Sequence, residues 1–296
     1  MKRILLFVAT NLMIMIALSV TYHLVCAFLG PEVVNEFQAY GINFATVAVF
    51  SLVFGMGGAF VSLLLSKTVA KFSVGAQTVD GTENVQTRWL VDTVAQLAER
   101  ANIKTPEVAI YEGSANAFAT GAFRNSALVA VSTDIMEQMT REELRAVLAH
   151  EVSHIVNGDM VTMTLMQGVL NSIVLFLSRV VAFAAARAGG RDERRGYSGM
   201  TFYVVYYVMQ LTLGILASIL VCAYSRKREY AADAGSANLI GTPSSMIAAL
   251  RRLGSLQEGV LPDSLKAMGI SGKRGMTHLF STHPPLEDRI KALQGF

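Results

Sequence analysis

The run His150-Glu151-Val152-Ser153-His154 is the most informative part of the sequence. On an α-helix, residues i and i+4 lie on one face, so both imidazoles can reach the same metal ion. Glu151 stands next to the first histidine, where its carboxylate can hold and deprotonate a zinc-bound water. The pattern is short and also fits a solvated helix with two unrelated histidines. A helix, a third ligand and a substrate groove would decide between these interpretations.

The residues before this run predict the helix. Thr140-Arg141-Glu142-Glu143 has the form of a capping box, with Thr140 as the N-cap and Glu143 reaching back to it. Apolar residues then recur at helical spacing, and neither proline nor glycine interrupts the run before Gly158. The two histidines should therefore project from one face of a well-capped helix.

Composition indicates a membrane protein. Of the 296 residues, 52% are hydrophobic and only 16% are charged, which lies outside the average for soluble domains. The net charge of +3, without a basic block containing aromatics, argues against a nucleic-acid partner. Cys26 and Cys222 lie in apolar runs far apart, so we expect two small buried hydrophobes rather than a disulfide or metal site.

Four apolar segments are candidates for the membrane, at 4–29, 42–65, 161–186 and 201–224. The first follows Lys2 and Arg3 and is too long for a cleaved signal peptide, so we expect a retained anchor.

Charges around the first two segments predict their orientation. Glu32 and Glu36 lie between the segments, whereas Lys67 and Lys71 follow the second. The positive-inside rule then places the N-terminus and the chain after residue 65 in the cytoplasm.

The loop between the last two segments, 187–195, is rich in arginine, which argues against its export and so against full spanning. Either both segments span, as their length favours, or they form a partly embedded hairpin. Both arrangements return the chain to the side that it left.

The remaining sequence has the character of a soluble domain. We expect an amphipathic helix at 84–101, strands at 106–111 and 127–131, and a third strand at 116–123 that pairs with 127–131. Helices should also begin at Thr242-Pro243 and cover 285–293, and the run 269–275 reads as a mobile loop.

The best third ligand is Glu229, which shares a helical face with Asp233. Glu229 can ligate zinc, while Asp233 can accept a hydrogen bond from the far nitrogen of a ligand histidine. Alternatively, the two carboxylates only offset nearby arginines, but the histidine motif favours the ligand interpretation. Asp159 could orient a neighbouring group, although a helix-terminal role is the expectation.

Four stretches together carry a family resemblance: Asn116-Ala117-Phe118-Ala119, the run 150–160 (HEVSHIVNGDM), the run 228–233 (REYAAD) and the run 281–285 (STHPP). With the four apolar segments, they make the chain resemble the HtpX-type membrane zinc metalloproteases of bacteria, which are related to the CaaX prenyl proteases. The resemblance covers essentially the whole chain.

The resemblance implies a gluzincin-like catalytic domain with one zinc ion held by His150, His154 and Glu229. It also implies that Asn116, Ala117, Phe118 and Ala119 form the edge strand that binds an extended substrate, and that His283 faces the oxyanion. On the sequence alone, the strand fits an ordinary hairpin equally well, and His283 fits a turn residue.

These observations predict a mainly α-helical protein with a small β-sheet (α+β), integral to the membrane. We expect a two-helix anchor at 1–66, a catalytic domain in two parts at 67–160 and 225–296, and a helical membrane hairpin at 161–224.

The predicted activity is zinc-dependent endopeptidase chemistry at the bacterial inner membrane, with the active site facing the cytoplasm. The expected substrates are damaged or misfolded membrane proteins or other unfolded polypeptides, cleaved for quality control. The alternatives are a non-catalytic zinc-binding membrane scaffold and an intramembrane metalloprotease, whose motif would lie within a span.

Overall fold

The computed structural model describes residues 44–188, 199–260 and 279–296. The helices are α1 (Phe44–Val74), α2 (Val85–Arg100), α3 (Thr133–Gln138), α4 (Arg141–Asn157), α5 (Asp159–Ala188), α6 (Gly199–Ile240), α7 (Ser244–Val260) and α8 (Leu286–Gln294). The strands are β1 (Gln77–Val79), β2 (Glu107–Tyr111), β3 (Ala117–Thr120) and β4 (Leu128–Ser132). The predicted class, mainly helical with a small sheet, is confirmed.

Some predicted features lie outside the described residues. They are the apolar segment 4–29, most of the arginine-rich loop and the run 269–275. Within the described ranges, three helices are long and apolar enough to cross a membrane: Phe44–Val74, Asp159–Ala186 and Gly199–Ile240. These helices include the other three apolar segments that hydropathy predicts.

The chain divides into two compact units, whose described residues are 44–61 with 164–188 and 199–221, and 62–163 with 222–260 and 279–296. In the first unit, Gly55 packs directly on Ser172, since a Cβ at residue 55 would lie 2.3 Å from the serine Oγ. Arg179 lies over the rings of Phe50 and Tyr206, at 4.6 and 5.3 Å from their centroids. Close approach at small residues is typical of helix packing in membranes.

The second unit contains a four-stranded sheet in the order β1-β2-β4-β3. β2 and β4 are parallel, whereas β1 pairs with β2 and β3 pairs with β4 in antiparallel fashion. The predicted pairing of the strand near residue 118 with the strand near residue 130 is confirmed, because Phe118 is opposite Ala130. β3 is therefore an edge strand, while β4 is central and wholly buried.

Helices cover one face of this sheet and form the main core. Leu90, Val94 and Leu97 of α2 pack with Val129 and Val131 of β4. The buried face of α4 and residues of α7 complete the same cluster. α4 is thus held in the centre of the unit by its apolar side chains, which fixes the position of the histidines that it carries.

The predicted cap of α4 is confirmed, because Thr140 caps this helix within a capping box. Asn84 caps α2 in the same way, which the sequence analysis did not predict. Gly158 ends α4 in the left-handed conformation (φ 72°), which glycine adopts without steric cost. The chain can therefore turn at once into α5, which begins at Asp159.

The sequence did not reveal two short elements, β1 and α3. β1 is only three residues long and lacks the apolar alternation of a strand. α3 follows β4 without a loop, with Ser132 as its N-cap. Both are stabilised by neighbouring elements rather than by their own sequence pattern.

Candidate metal centre

α4 brings its two histidines and the intervening glutamate to the centre of the second unit. His150 is buried, with 6% of its surface exposed, and His154 is partly buried. Their Nε2 atoms face each other at 3.1 Å, as the i, i+4 spacing predicts. Glu151 lies between them in the sequence of α4. Burial raises the pKa of its carboxyl above the ordinary value, although the charges of the two histidines act to lower it.

α6 supplies a third group to this cluster. Glu229 Oε2 lies 3.5 Å from His150 Nε2, and its Oε1 lies 3.5 Å from His154 Nε2. The candidate ligand atoms of His150, His154 and Glu229 all fall within 4.8 Å of one another, so the three residues could hold a metal ion. The structure thus brings together three groups of which the first, His150, and the last, Glu229, are 79 positions apart in the sequence.

The far nitrogen of each histidine contacts a carboxylate. Asp233 Oδ1 lies 2.9 Å from His150 Nδ1, and Asp159 Oδ2 lies 2.6 Å from His154 Nδ1. A carboxylate at Nδ1 favours the proton on that atom and leaves the Nε2 lone pair free. Burial lowers the pKa of His150, but its carboxylate neighbours outweigh this effect and raise it overall.

These contacts test whether a metal fits. Two unprotonated Nε2 atoms that face each other at 3.1 Å repel unless a cation lies between them. Tetrahedral zinc with bonds near 2.1 Å requires ligand atoms about 3.3–3.5 Å apart. The two nitrogen–oxygen separations of 3.5 Å match this requirement, and the nitrogen–nitrogen separation of 3.1 Å lies slightly below it. The arrangement therefore fits a metal with two nitrogen ligands and one carboxylate ligand.

Arg289 is a buried member of the site that the sequence analysis missed. Its Nε and Nη2 atoms donate to the two carboxylate oxygens of Asp233 at 2.8 and 2.6 Å. Its Nη1 atom lies 3.2 Å from Glu229 Oε2. One guanidinium from α8 therefore offsets charge on two carboxylates of α6. The excess of acidic groups in the predicted site was the only signal that a cation had to be nearby.

The Asp159 contact corresponds to the less favoured of the two roles predicted for this residue. Asp159 begins α5, as the helix-terminal interpretation predicted, but its carboxylate contacts His154 and forms an ion pair with Arg228. Arg228 directly precedes Glu229 in α6. Each of the two histidines thus has a carboxylate at Nδ1, and an arginine binds each of those carboxylates.

His283 lies at the rim of the cluster. Its Nδ1 atom is 3.0 Å from Glu229 Oε2, while 65% of its side chain remains exposed. The segment before it is fixed to α6, because Arg226 donates to the backbone oxygen of Ser281 at 2.8 Å. Ser281 Oγ in turn donates to the backbone oxygen of His283 at 2.6 Å.

β3 passes the site with a free edge. Ser132 donates its N–H to the Asn116 oxygen at 2.9 Å, so these opposite residues form a hydrogen-bonded pair. In an antiparallel ladder, hydrogen-bonded pairs alternate with pairs that are not hydrogen-bonded to each other. The backbone of Phe118 therefore also bonds to β4. The backbone N–H and C=O groups of Ala117 and Ala119 point the other way, to the free edge of the sheet. The Ala119 backbone indeed bonds to the Glu151 carboxylate.

The residues around the cluster enclose a cavity of about 670 Å³. Asn116, Ala117, Glu151, Glu229 and His283 all line it. Among the lining residues, the stretch 116–119 contributes Asn116 and Ala117. The ring of Phe118 instead packs on Tyr111, at 5.8 Å between centroids. A volume of this size is typical of ligand pockets.

Comparison with known proteins identifies the class of protein. The sequence model of "Peptidase family M48" matches residues 84–296, which include every residue of the metal cluster. The chain belongs to this peptidase family. Together with its apolar helices and the cluster that could hold a metal, this makes it a membrane metalloprotease.

The relatives give a closer match. A protein named "Protease HtpX homolog" from Janthinobacterium sp. (strain Marseille) is 51% identical over 294 residues, or 99% of both chains. A protein of the same name from Bordetella pertussis (strain Tohama I) is 52% identical over 296 residues, or 99% of this chain and 98% of the relative. The resemblance to HtpX-type proteases is thus confirmed.

One solved structure shows the same fold at low sequence identity. The crystal structure of S. mikatae Ste24p superposes with a TM-score of 0.62 at 18% identity. The match covers 97% of this chain and 67% of the other.

Proposed function

We propose that this protein is a zinc-dependent endopeptidase whose metal ligands are His150, His154 and Glu229. The observation that carries the proposal is the pair of Nε2 atoms 3.1 Å apart, each on a ring whose Nδ1 contacts a carboxylate. Two histidines and a glutamate are a ligand set of catalytic zinc, which keeps a fourth position open for water or substrate. When bound, zinc would supply Lewis acidity that activates water and polarises the scissile carbonyl.

Glu151 is the proposed general base and acid. It is partly buried beside the ligand histidines, and its carboxylate accepts a backbone hydrogen bond from Ala119 of the edge strand. A substrate on this edge would therefore place its carbonyl near the carboxylate. Glu151 takes a proton from the attacking water and transfers it to the leaving amine.

The other residues bind or orient. Asp233 and Asp159 keep the Nδ1 protons in place, so that both ligand histidines present Nε2. The backbone N–H and C=O groups of Ala117, which point to the free edge of β3, bind the substrate main chain with little sequence preference. His283, largely exposed at the rim, donates to the oxygen that becomes charged during hydrolysis.

The two alternatives fit less well. A structural zinc site is normally closed by four protein ligands, whereas three groups converge here among the described residues. An intramembrane protease would carry its motif within a span, but α4 is not among the candidate spans and contains Arg141, Glu142, Glu143 and Arg145.

We further propose that the protein lies in the bacterial inner membrane with its active site in the cytoplasm. Lys67 and Lys71 at the end of α1 support this orientation through the positive-inside rule. A membrane-tethered site that faces the cytoplasm suits damaged membrane proteins or unfolded polypeptides as quality-control substrates. Reporter fusions after residues 36 and 296 would test the orientation, since only the second should lie in the cytoplasm.

Chelation and reconstitution test the metal. The full chain, purified in detergent, should cleave casein, lose this activity in a chelator and recover it with one equivalent of zinc per chain. Chelator-insensitive cleavage would rule out the metal mechanism. Retained zinc without cleavage of any unfolded protein would favour the scaffold.

A further inference from the structure

The segment just before His283 carries two exposed apolar side chains. Leu279 and Phe280 are 41% and 44% exposed, although folded proteins usually bury leucine and phenylalanine. The next residue, Ser281, lines the cavity beside the metal cluster. The proposed chemistry uses neither Leu279 nor Phe280, so their exposure calls for a separate explanation.

Three contacts hold this segment on α6. The backbone oxygen of Phe280 accepts a hydrogen bond from Cys222 Sγ at 3.3 Å. Arg226 donates to the backbone oxygens of Leu279, at 3.4 Å, and of Ser281, at 2.8 Å. All three contacts use backbone atoms of the segment. They fix its position along α6 and leave the two apolar side chains available for other contacts.

The segment is held at the point where α6 leaves the membrane. α6 is a candidate span, and its apolar run ends at Tyr224. The basic run Arg226-Lys227-Arg228 follows, and charges at this density are costly in hydrocarbon. Cys222 lies within the apolar run, one helical turn before Arg226. Because Phe280 contacts Cys222, it lies at the level where the hydrocarbon meets the lipid headgroups.

The chemistry of the segment and its neighbours suits this level of the bilayer. Segments that lie in a membrane interface combine phenylalanine or leucine with lysine or arginine, and they bury their apolar side chains about 5–10 Å into the boundary between headgroups and acyl chains. Lys227 is exposed on α6 in the same region, where it can attract anionic headgroups. Lipid surrounds a membrane protein at this level, so it is the occupant that the position of the segment favours.

We propose that Leu279 and Phe280 form a membrane-surface anchor, which inserts into the lipid interface at the end of the α6 span. The anchor holds the rim of the cavity at the bilayer surface, because Ser281 lines the cavity and is joined directly to Phe280. Glu229 follows Cys222 by seven residues, or about 10 Å along the helix, so the metal cluster lies close to the same surface.

Fluorescence quenching by brominated lipids tests the anchor. Trp89 is the single tryptophan of the chain, so Phe280→Trp combined with Trp89→Phe places one tryptophan in the segment. The full chain is reconstituted in nanodiscs of phosphatidylcholine and phosphatidylglycerol whose acyl chains carry bromine near the headgroup or near the methyl end. We expect bromine near the headgroup to remove at least about half of the emission, and bromine near the methyl end to remove less, as a depth of about 5–10 Å requires.

Matched variants in the same background define the two limits. Leu211→Trp, at an exposed position in the middle of the apolar run of α6, should be quenched more strongly by bromine near the methyl end. Val85→Trp, at an exposed position that follows the polar run 80–84, should keep its emission in both lipids. Leu279→Trp is a second probe of the anchor and keeps the test open if Phe280→Trp does not fold.

Two results would overturn the anchor. Quenching of both probes no stronger than that of Val85→Trp would show that the segment stays in water. Emission at short wavelength without quenching would show that protein, rather than lipid, covers the two side chains. The measurement needs no enzymatic activity. Its failure therefore leaves the proposed peptidase intact, whereas an inactive wild-type enzyme would overturn the proposed function and not the anchor.

Discussion

The guanidinium of Arg289 donates two parallel hydrogen bonds to the carboxylate of Asp233, at 2.8 and 2.6 Å. Both side chains are buried, and the same carboxylate contacts Nδ1 of His150 at 2.9 Å. The last helix of the chain is thus connected to a proposed metal ligand through a single acidic residue. Bidentate pairs of this kind fix orientation as well as charge.

Arg289→Met should damage both stability and metal binding. Removing one partner of a buried ion pair leaves an uncompensated charge and costs about 3–5 kcal/mol. We expect a lower unfolding temperature in detergent for Arg289→Met. The decrease should be smaller for Arg289→Lys, which keeps the positive charge but cannot form both parallel hydrogen bonds. Arg252→Met is the control, because Arg252 is exposed on α7 and donates to the Gln138 backbone. Equal unfolding temperatures for Arg289→Met and the wild type would contradict the role of this ion pair.

Asp159→Asn should weaken metal binding, and because it leaves Arg228 without its carboxylate partner, it should also lower the unfolding temperature. The substitution keeps the size of the side chain but removes the charge that orients His154. Loss of such a partner typically lowers metal affinity about 10–100-fold. Competition with a chelating dye measures the affinity, and Asp92→Asn, at an exposed site on α2, is the control. An affinity equal to that of the wild type would show that Asp159 acts only at the start of α5.

The packing of α4 on α6 depends on Gly235. A Cβ at this position would lie 2.6 Å from Ser153 Oγ and 2.8 Å from Ser153 Cβ. Gly235→Ala should therefore separate the two helices and destabilise the fold by about 1–3 kcal/mol. It should also lower zinc content, because Glu229 would move away from the histidines. The compensating change Ser153→Gly should restore part of both losses, and additive effects in the double variant would argue against this contact.

The free edge of β3 can be tested with proline. Ala117→Pro removes an N–H that points to the substrate side, so kcat/KM should fall about fivefold, the value of one hydrogen bond near 1 kcal/mol. The unfolding temperature should change little. Phe118→Pro removes an N–H that bonds to β4 and should lower the unfolding temperature instead. If both variants lowered the unfolding temperature equally, the assignment of the free edge would be wrong.

Local signals were strong enough to predict much of this fold. The capping box at Thr140 and the stop at Gly158 defined α4 from the sequence, and the pairing of β3 with β4 followed from two short runs and a turn. Glu229 and Asp233 could be linked to the histidines because metal chemistry requires a third ligand and oriented imidazoles.

The remaining features depend on the tertiary fold. Arg289 and Arg228 are ordinary surface residues by sequence, and only packing brings them to buried carboxylates. The close contact of Gly235 with Ser153 likewise has no local pattern. The apolar residues that line the cavity come singly from α3, α4, α7 and α8, and no periodicity connects them.

The most direct test of the account measures zinc content and casein cleavage on the same preparations of wild type and Glu151→Gln. Glutamine keeps the shape of Glu151 but cannot accept the proton from water. We predict one zinc ion per chain in both proteins and cleavage by the wild type alone. Cleavage by Glu151→Gln at the wild-type rate, or a wild-type enzyme that is active without bound metal, would contradict the central claim.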